Sequence, residues 1–117
     1  MTIDELAQAA IASDALRLRQ FTQDWLREHP CITDSPAPAS QDPTTRIIAA
    51  ALVELFAQRS GQASPTWTES IGSLREPLFL LKSASTMPRL RQLCQAESPQ
   101  PLRRRNLFAP ANFLEFA

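Results

Sequence analysis

The apolar positions in the first part of the chain recur with helical spacing. Thr2 and Glu5 form a capping-box pattern in front of a short apolar stretch. From Asp14 to Glu28 the apolar residues follow i, i+3, i+7 spacing, and charged or polar residues occupy the rest of the helical wheel. The pair Ser13-Asp14 either caps this second segment or lies inside one continuous helix. The pattern therefore predicts an amphipathic helix over residues 14–28.

A nearly continuous apolar stretch marks the middle of the chain. Asp42 and Pro43 place an N-cap acid directly before a proline at the first helical position, which is a strong helix start. Almost every residue from Ile47 to Ala57 is apolar, and a helix that is apolar on most sides is usually buried. We therefore expect a helix over Thr44 to Ser60 to form the centre of the fold.

Beyond Pro65 the hydrophobic pattern becomes irregular. Thr66 and Glu69 repeat the capping-box spacing, which predicts a short helix here. The segment Glu76 to Leu81 is either a buried extended segment or a turn with apolar anchors. A last helix has Pro88 in its first turn and ends before Ser98. Its predicted inner stripe consists of Met87, Leu90, Leu93 and Cys94.

Proline and glycine content bears on the fold class. The chain has ten prolines and two glycines, so it offers little material for tight hairpins that need positive φ angles. A β-rich fold is disfavoured, and proline instead divides the chain into helical segments. We predict one all-α domain over residues 1–117, a compact bundle of roughly four to six helices around the central apolar helix, with proline-rich connections. Residues 30–43 are predicted to be an extended proline-rich linker.

Charge is balanced overall but unevenly distributed. The formal net charge is zero, yet residues 1–45 hold seven acids and three bases, whereas residues 46–117 hold five acids and nine bases. All of the bases except Lys82 are arginines, whose planar guanidinium suits fixed paired contacts. We expect the acidic first helices to pack beside the basic second half, so that their fields largely cancel.

The chain offers little material for catalysis. His29 and Cys31 are separated by one residue, and in an extended segment their side chains could point the same way. No glycine-rich turn lies nearby, and a histidine at a helix C-terminus has an ordinary explanation in the helix dipole. Including Cys94, the chain has three Cys or His residues, whereas a structural zinc site usually takes four. No phosphate-binding loop is present. We therefore predict a protein that is not an enzyme and holds no metal or cofactor.

Localisation is predicted from absent signals. The longest apolar run is far shorter than the roughly 20 residues that span a bilayer, and the first residues show no secretion signal. Cys31 and Cys94 lie far apart, without the spacing of a disulfide framework. These features predict a cytoplasmic protein with two free thiols and no membrane association.

The C-terminal segment carries the candidate binding residues. Arginine and aromatic side chains dominate binding hot spots, and they can also contact phosphates and stack on bases. A nucleic-acid module normally has a net basic charge, which favours a protein partner and leaves nucleic acid as the alternative. The phenylalanines either fold back onto the core or are offered to the partner. The predicted partner-binding residues are Arg103, Arg104, Arg105, Phe108, Phe113 and Phe116.

Four blocks of the sequence carry a resemblance to a protein family. They are Arg46 to Arg59, Pro65-Thr66-Trp67-Thr68, Glu76-Pro77-Leu78-Phe79 and Pro101 to Phe108. In these blocks the chain resembles small bacterial proteins that are similar to antitoxin-like partners encoded beside nucleotidyltransferase-type toxins. The resemblance implies an all-helical protein that wraps or plugs a toxin, with Arg103 to Arg105 and Phe108 as contacts. The helix pair with which many antitoxins bind DNA is not apparent, so the resemblance does not extend to autoregulation.

Overall fold

A computed structural model describes residues 1–81, 84 and 86–115. The described residues form five α-helices, two 3₁₀ helices and two short strands. The α-helices are α1 (Ile3–Ile11), α2 (Ala15–Glu28), α3 (Pro43–Arg59), α4 (Pro88–Glu97) and α5 (Gln100–Arg103). The 3₁₀ helices are Ile32–Asp34 and Thr66–Ser70, and the strands are β1 (Leu78–Phe79) and β2 (Leu107–Phe108). With 56% helix and 4% strand, the predicted all-α class is confirmed.

The first three helices begin at the caps that the sequence predicts. The Thr2 hydroxyl oxygen accepts a hydrogen bond from the backbone N–H of Glu5 at 3.3 Å. The Asp14 carboxylate accepts from the N–H of Arg17, and the Asp42 carboxylate accepts from the N–H of the third residue after it. Ser13 has a φ of 53°, a left-handed conformation that no helix interior tolerates. Residues 3–28 therefore form two helices and not one.

Helix α3 is enclosed on most sides. Every residue from Ile47 to Ala57 is buried, including the charged Glu54. Helices α1 and α5 and both 3₁₀ helices pack against it. Because neighbours surround α3, its apolar residues lie on most sides of the helix and not in a single stripe. This agrees with the expectation from its sequence. Among the described residues, no helix is long and apolar enough to cross a membrane.

The linker between α2 and α3 is anchored at several points. Ile32 is buried in the core, and its backbone N–H donates to the side-chain oxygen of Gln62 at 2.8 Å. The amide nitrogen of Gln62 donates to the carbonyl oxygen of Pro30 at 3.0 Å. The indole N–H of Trp67 donates to the carbonyl oxygen of Ser35, also at 3.0 Å. This segment, predicted to be an extended linker, is thus fixed to the chain that follows α3.

The short helix after Pro65 differs from its prediction. Residues 66–70 form a 3₁₀ helix, and its cap position is occupied by Pro65 without a side-chain cap. The Thr68 hydroxyl donates to the carbonyl oxygen of Pro65 at 2.8 Å. The predicted capping role of Thr66 is therefore wrong. The cap position is one residue earlier, at Pro65, and the threonine whose side chain contacts it is Thr68.

A short parallel ladder joins two segments of the second half. Leu78 pairs with Leu107, and Phe79 pairs with Phe108. The N–H of Leu80 donates to the carbonyl oxygen of Phe108 at 2.9 Å. Of the two alternatives for Glu76 to Leu81, the extended one is observed at Leu78 and Phe79, although these residues are partly buried and not fully buried as predicted. The ladder thus brings residues about thirty positions apart in the sequence side by side.

Candidate functional site

The arginine run divides into three side chains with different surroundings, and Arg105 lies inside the protein. Its side chain is 4% exposed. Its Nε donates to Oε1 of Glu54 at 2.8 Å. Nη2 donates to the carbonyl oxygen of Thr68 at 2.9 Å, and Nη1 donates to those of Ile71 and Gly72. All three guanidinium nitrogens are thus engaged within the chain. The structure removes Arg105 from the predicted contact surface.

A buried carboxylate explains why Arg105 is drawn inward. Glu54 lies in the middle of α3, where its side chain is 7% exposed among apolar residues. A buried charge costs several kcal/mol unless an opposite charge and hydrogen bonds accompany it. Arg105 supplies both, and Arg104 makes a second ion pair with the same carboxylate. Glu54 and both of its arginine partners belong to the basic half of the chain, residues 46–117. The sequence predicted instead that this half would be balanced by the acids of the first helices.

Arg103 and Arg104 remain accessible but are also held within the chain. The Arg104 side chain is 53% exposed beside Glu54. Arg103 is exposed, and its Nη2 donates to the carbonyl oxygen of Ser98, just past the end of α4, at 2.8 Å. The predicted basic cluster therefore presents two partly engaged arginines to solvent instead of three free ones.

Of the predicted phenylalanines beyond Phe108, the structure describes Phe113. It is 7% exposed and packs in the hydrophobic core, so this part of the tail folds back. Arg59 holds the same segment, donating to the carbonyl oxygen of Ala111 at 3.3 Å and pairing with Glu115 at 3.8 Å. Burial lowers the pKa of Arg59, and Glu115 partly offsets this effect. Phe116, also predicted as a contact, lies outside the described residues.

Phe108 belongs to a group of side chains that we call the aromatic stack, made of Phe79, Phe108 and Arg91. The two phenylalanine rings stack with their centroids 5.3 Å apart and an interplanar angle of 30°. The guanidinium carbon of Arg91 lies 4.9 Å from the centroid of the Phe79 ring, which is a cation-π distance. Both phenylalanines are only partly buried. The parallel register of β1 and β2 fixes them side by side.

The sequence predicts Phe108 as a binding residue but gives no reason to join it with Phe79 and Arg91. Phe79 lies in the segment Glu76 to Leu81, for which the sequence allows two conformations. Only the strand pairing, at a separation of 29 positions, places its ring against Phe108. A two-residue strand has no measurable periodicity, so this contact had no signal in the sequence.

Helix α4 is the least buried of the longer helices. Cys94 is its only buried residue, and burial raises the pKa of this thiol. Met87, just before the helix, is 53% exposed, and Leu93 is 44% exposed. The predicted inner stripe of Met87, Leu90, Leu93 and Cys94 is therefore wrong for Met87 and Leu93. These two residues present apolar surface to solvent.

The side chains considered for catalysis have separate partners. The His29 ring stacks on Trp25 with a centroid distance of 4.5 Å, and its Nδ1–H donates to the carbonyl oxygen of Trp25 at 2.9 Å. The Cys31 thiol donates to the Asp34 carboxylate at 3.2 Å. In the part of the chain that the structure describes, no group of three or more Cys, His, Asp or Glu residues could hold a metal ion.

Two open clefts, of about 350 and 380 Å³, flank Arg104. Gln58 and Gln100 line the first, and Glu69 and Ser73 line the second.

Comparison of the chain with protein-family models, with curated proteins and with solved structures gives no match.

Proposed function

We propose that the protein is a non-catalytic protein-binding module whose partner docks on the aromatic stack. The observation that carries this proposal is the pair of partly exposed rings, Phe79 and Phe108, which a strand ladder fixes side by side and of which Phe79 has Arg91 over its face. Binding energy concentrates in aromatic and arginine side chains that are held rigidly before the partner arrives. The stack has these residue types and this rigidity.

The proposal includes a specific architecture and a partner class. The helices form a bundle in which α3 is the support, and the second half of the chain is fixed to it through Glu54 and Arg105. The partner is an enzyme that the protein inhibits, as the resemblance to antitoxin-like partners of nucleotidyltransferase-type toxins implies. Arg103 and Arg104, which remain accessible, are further contacts in this proposal.

The alternative is a nucleic-acid-binding accessory protein. Arginine and phenylalanine side chains can form a platform on which single-stranded bases stack. Such a site also needs free cations for the phosphates. Arg105 is buried, and Arg103 and Arg104 already have acceptors within the chain, which favours the protein partner.

The test is affinity capture from the native host with three forms of the protein, followed by mass spectrometry. The wild type and the control variant Leu16→Ala, which changes a 78% exposed residue on α2, are expected to retain one stoichiometric enzyme. Phe108→Ala is expected to lose it, because truncation removes one of the two stacked rings. Circular dichroism and the melting temperature establish that each variant is folded. Adding the wild type to the captured enzyme should lower its activity, and Phe108→Ala should not.

A second measurement addresses the alternative. A fluorescent single-stranded RNA is titrated with the wild type, with Phe108→Ala and with Arg91→Ala at increasing salt. Tight binding that falls steeply with salt and is lost in both variants, together with no captured enzyme, would replace our proposal with the nucleic-acid function. Capture of the same enzyme by the wild type and Phe108→Ala would also contradict the docking site.

A further inference from the structure

The outer side of α4 carries charged and apolar residues in a regular order. Arg89, Leu93 and Glu97 lie at positions i, i+4 and i+8, so they follow one another along a single ridge of the helix. All three are exposed. We call this row the outer ridge. Arg91 lies on the other side of the buried Cys94, so the outer ridge and the aromatic stack occupy different sides of α4.

The charges of the outer ridge are placed against the helix dipole. A cation is favourable near a helix C-terminus and an anion near its N-terminus. In α4 the first turn contains Arg89 and no acid, and the last turn contains Glu97 and no base. This order weakens the isolated helix, so the stability of α4 alone does not account for it.

We infer that the outer ridge is a self-association surface and that its occupant is a second copy of this chain. Two copies of α4 packed antiparallel about a two-fold axis through Leu93 bring Arg89 of each copy opposite Glu97 of the other. The two leucines at position 93 then meet at the centre of the contact. In a two-fold interface each contact occurs twice, so the ridge forms two ion pairs around an apolar centre. The sequence Arg89, Leu93, Glu97 is complementary to itself in this orientation alone.

The flanking residues fit the same arrangement. On the helical wheel Leu90 and Ala96 lie on opposite flanks of the ridge. The two-fold axis therefore places both copies of Leu90 along one edge of the contact and both copies of the small Ala96 along the other. Leu90 is partly buried and Ala96 is exposed, so both border the ridge.

The dimer is weak and depends on concentration. A ten-residue helix is about 15 Å long. The surface area that two such helices bury against each other falls below the roughly 1,200 Å² of stable specific interfaces. Self-association therefore leaves the aromatic stack accessible, and it does not depend on the proposed function.

The first experiment exchanges the charges and measures self-association by sedimentation velocity up to about 1 mM protein, a range that detects millimolar dissociation constants. Arg89→Glu alone places two glutamates opposite each other at both pairs, and Glu97→Arg alone does the same with arginines. Each single variant is expected to weaken the dimer about tenfold or more, since two attractive pairs become repulsive. The double variant Arg89→Glu/Glu97→Arg restores both pairs and should dimerise like the wild type.

Mixing the two single variants gives the sharpest outcome. One copy then carries glutamate at both positions and the other carries arginine at both, so the mixture should form a heterodimer while neither variant dimerises alone. Both substitutions favour the helix dipole, so loss of the dimer cannot be assigned to unfolding of α4. Gln95→Glu, which adds a charge to an exposed residue on the other side of the helix, is the control and should dimerise like the wild type.

A cross-link tests the axis itself. In a Cys31→Ser background, Leu93→Cys should form a disulfide-linked dimer under mild oxidation, because the two-fold axis brings position 93 near itself. Gln95→Cys, exposed on the Arg91 side, should not. A wild type that stays monomeric at about 1 mM, a double variant or a mixture that fails to dimerise, or equal cross-linking at positions 93 and 95 would each overturn the inference.

Discussion

Residues 1–60 and residues 61–115 are stabilised by different kinds of contact. In the first region, regular helices bury apolar side chains against one another, and α3 alone contributes most of the buried residues. The second region also buries apolar side chains, and in addition Arg105 ties it to α3 through Glu54 and to the backbone through three carbonyl groups. The first region is thus held by apolar packing, whereas the second adds one buried charged side chain that makes four hydrogen bonds.

The largest expected effect follows from removing that side chain. Arg105→Ala leaves a buried carboxylate with one ion-pair partner and removes the side-chain donor from the carbonyl groups of Ile71 and Gly72. Breaking a buried pair by removing one partner costs about 3–5 kcal/mol of unfolding free energy. Urea denaturation followed by tryptophan fluorescence measures the loss.

The neighbouring arginine is the matched control. Arg104→Ala removes an ion pair to the same carboxylate from a side chain that is half exposed, and exposed pairs contribute about 0–1 kcal/mol. Equal losses for Arg104→Ala and Arg105→Ala would show that the second region is not held by Arg105 in particular.

The next effect concerns leucines of the two regions. Leu52 in α3 is completely buried, and replacing it with alanine should cost about 2–5 kcal/mol, since it leaves a cavity among close-packed neighbours. Leu93→Ala in α4 should change the unfolding free energy by less than about 0.5 kcal/mol. Thermal unfolding of both variants at low protein concentration makes the comparison. A large loss for Leu93→Ala in the monomer would mean that α4 packs more tightly than its exposure indicates.

A smaller effect tests a helix start in the first region. Hydrogen bonds from the backbone N–H and the hydroxyl of Thr45 lower the pKa of Asp42. A lowered folded-state pKa means that this carboxylate stabilises the protein above its unfolded pKa of about 3.9, and that the stabilisation is lost as the pH falls through the folded value. Asp42→Ala should therefore melt below the wild type at pH 7, and the gap should narrow at acidic pH. Gln41→Ala, one residue earlier and exposed, should show no such gap at either pH.

The smallest effect concerns the two thiols. Cys31 is exposed and should react with a thiol reagent in the folded protein, whereas Cys94 is buried with a raised pKa and should react only on unfolding. His29→Ala should leave the Cys31 rate within about twofold of the wild type, because His29 stacks on Trp25. A strong loss of Cys31 reactivity in that variant would restore the catalytic alternative.

The sequence predicted the first region better than the second because helix signals are local. The caps at Thr2, Asp14 and Asp42 act within three residues of themselves, and each begins the predicted helix. Burial of α3 also followed from composition. The sequence did not decide whether α1 and α2 are separate helices, because Ser13-Asp14 suits both a cap and a helix interior.

Interactions between distant residues could not be predicted in the same way. Glu54 is the one polar residue between Ile47 and Ala57, yet no pattern marked its carboxylate as the partner of a residue 51 positions away. The run Arg103 to Arg105 suggested one basic surface, yet successive residues of a turn point in different directions, so one side chain entered the core. The pairing of Phe79 with Phe108 depends on the same long-range closure.

The ion pair between Glu54 and Arg105 also sets a time for folding during protein synthesis. The two residues are separated by 51 positions, which a ribosome takes about 3–10 s to translate. Throughout this interval α3 carries a carboxylate whose permanent counter-ion has not yet been made. In a nascent chain that stops before residue 104, neither arginine partner of Glu54 is present, so water must solvate its carboxylate. Side chains can therefore pack around this part of α3 only after Arg104 and Arg105 have been added.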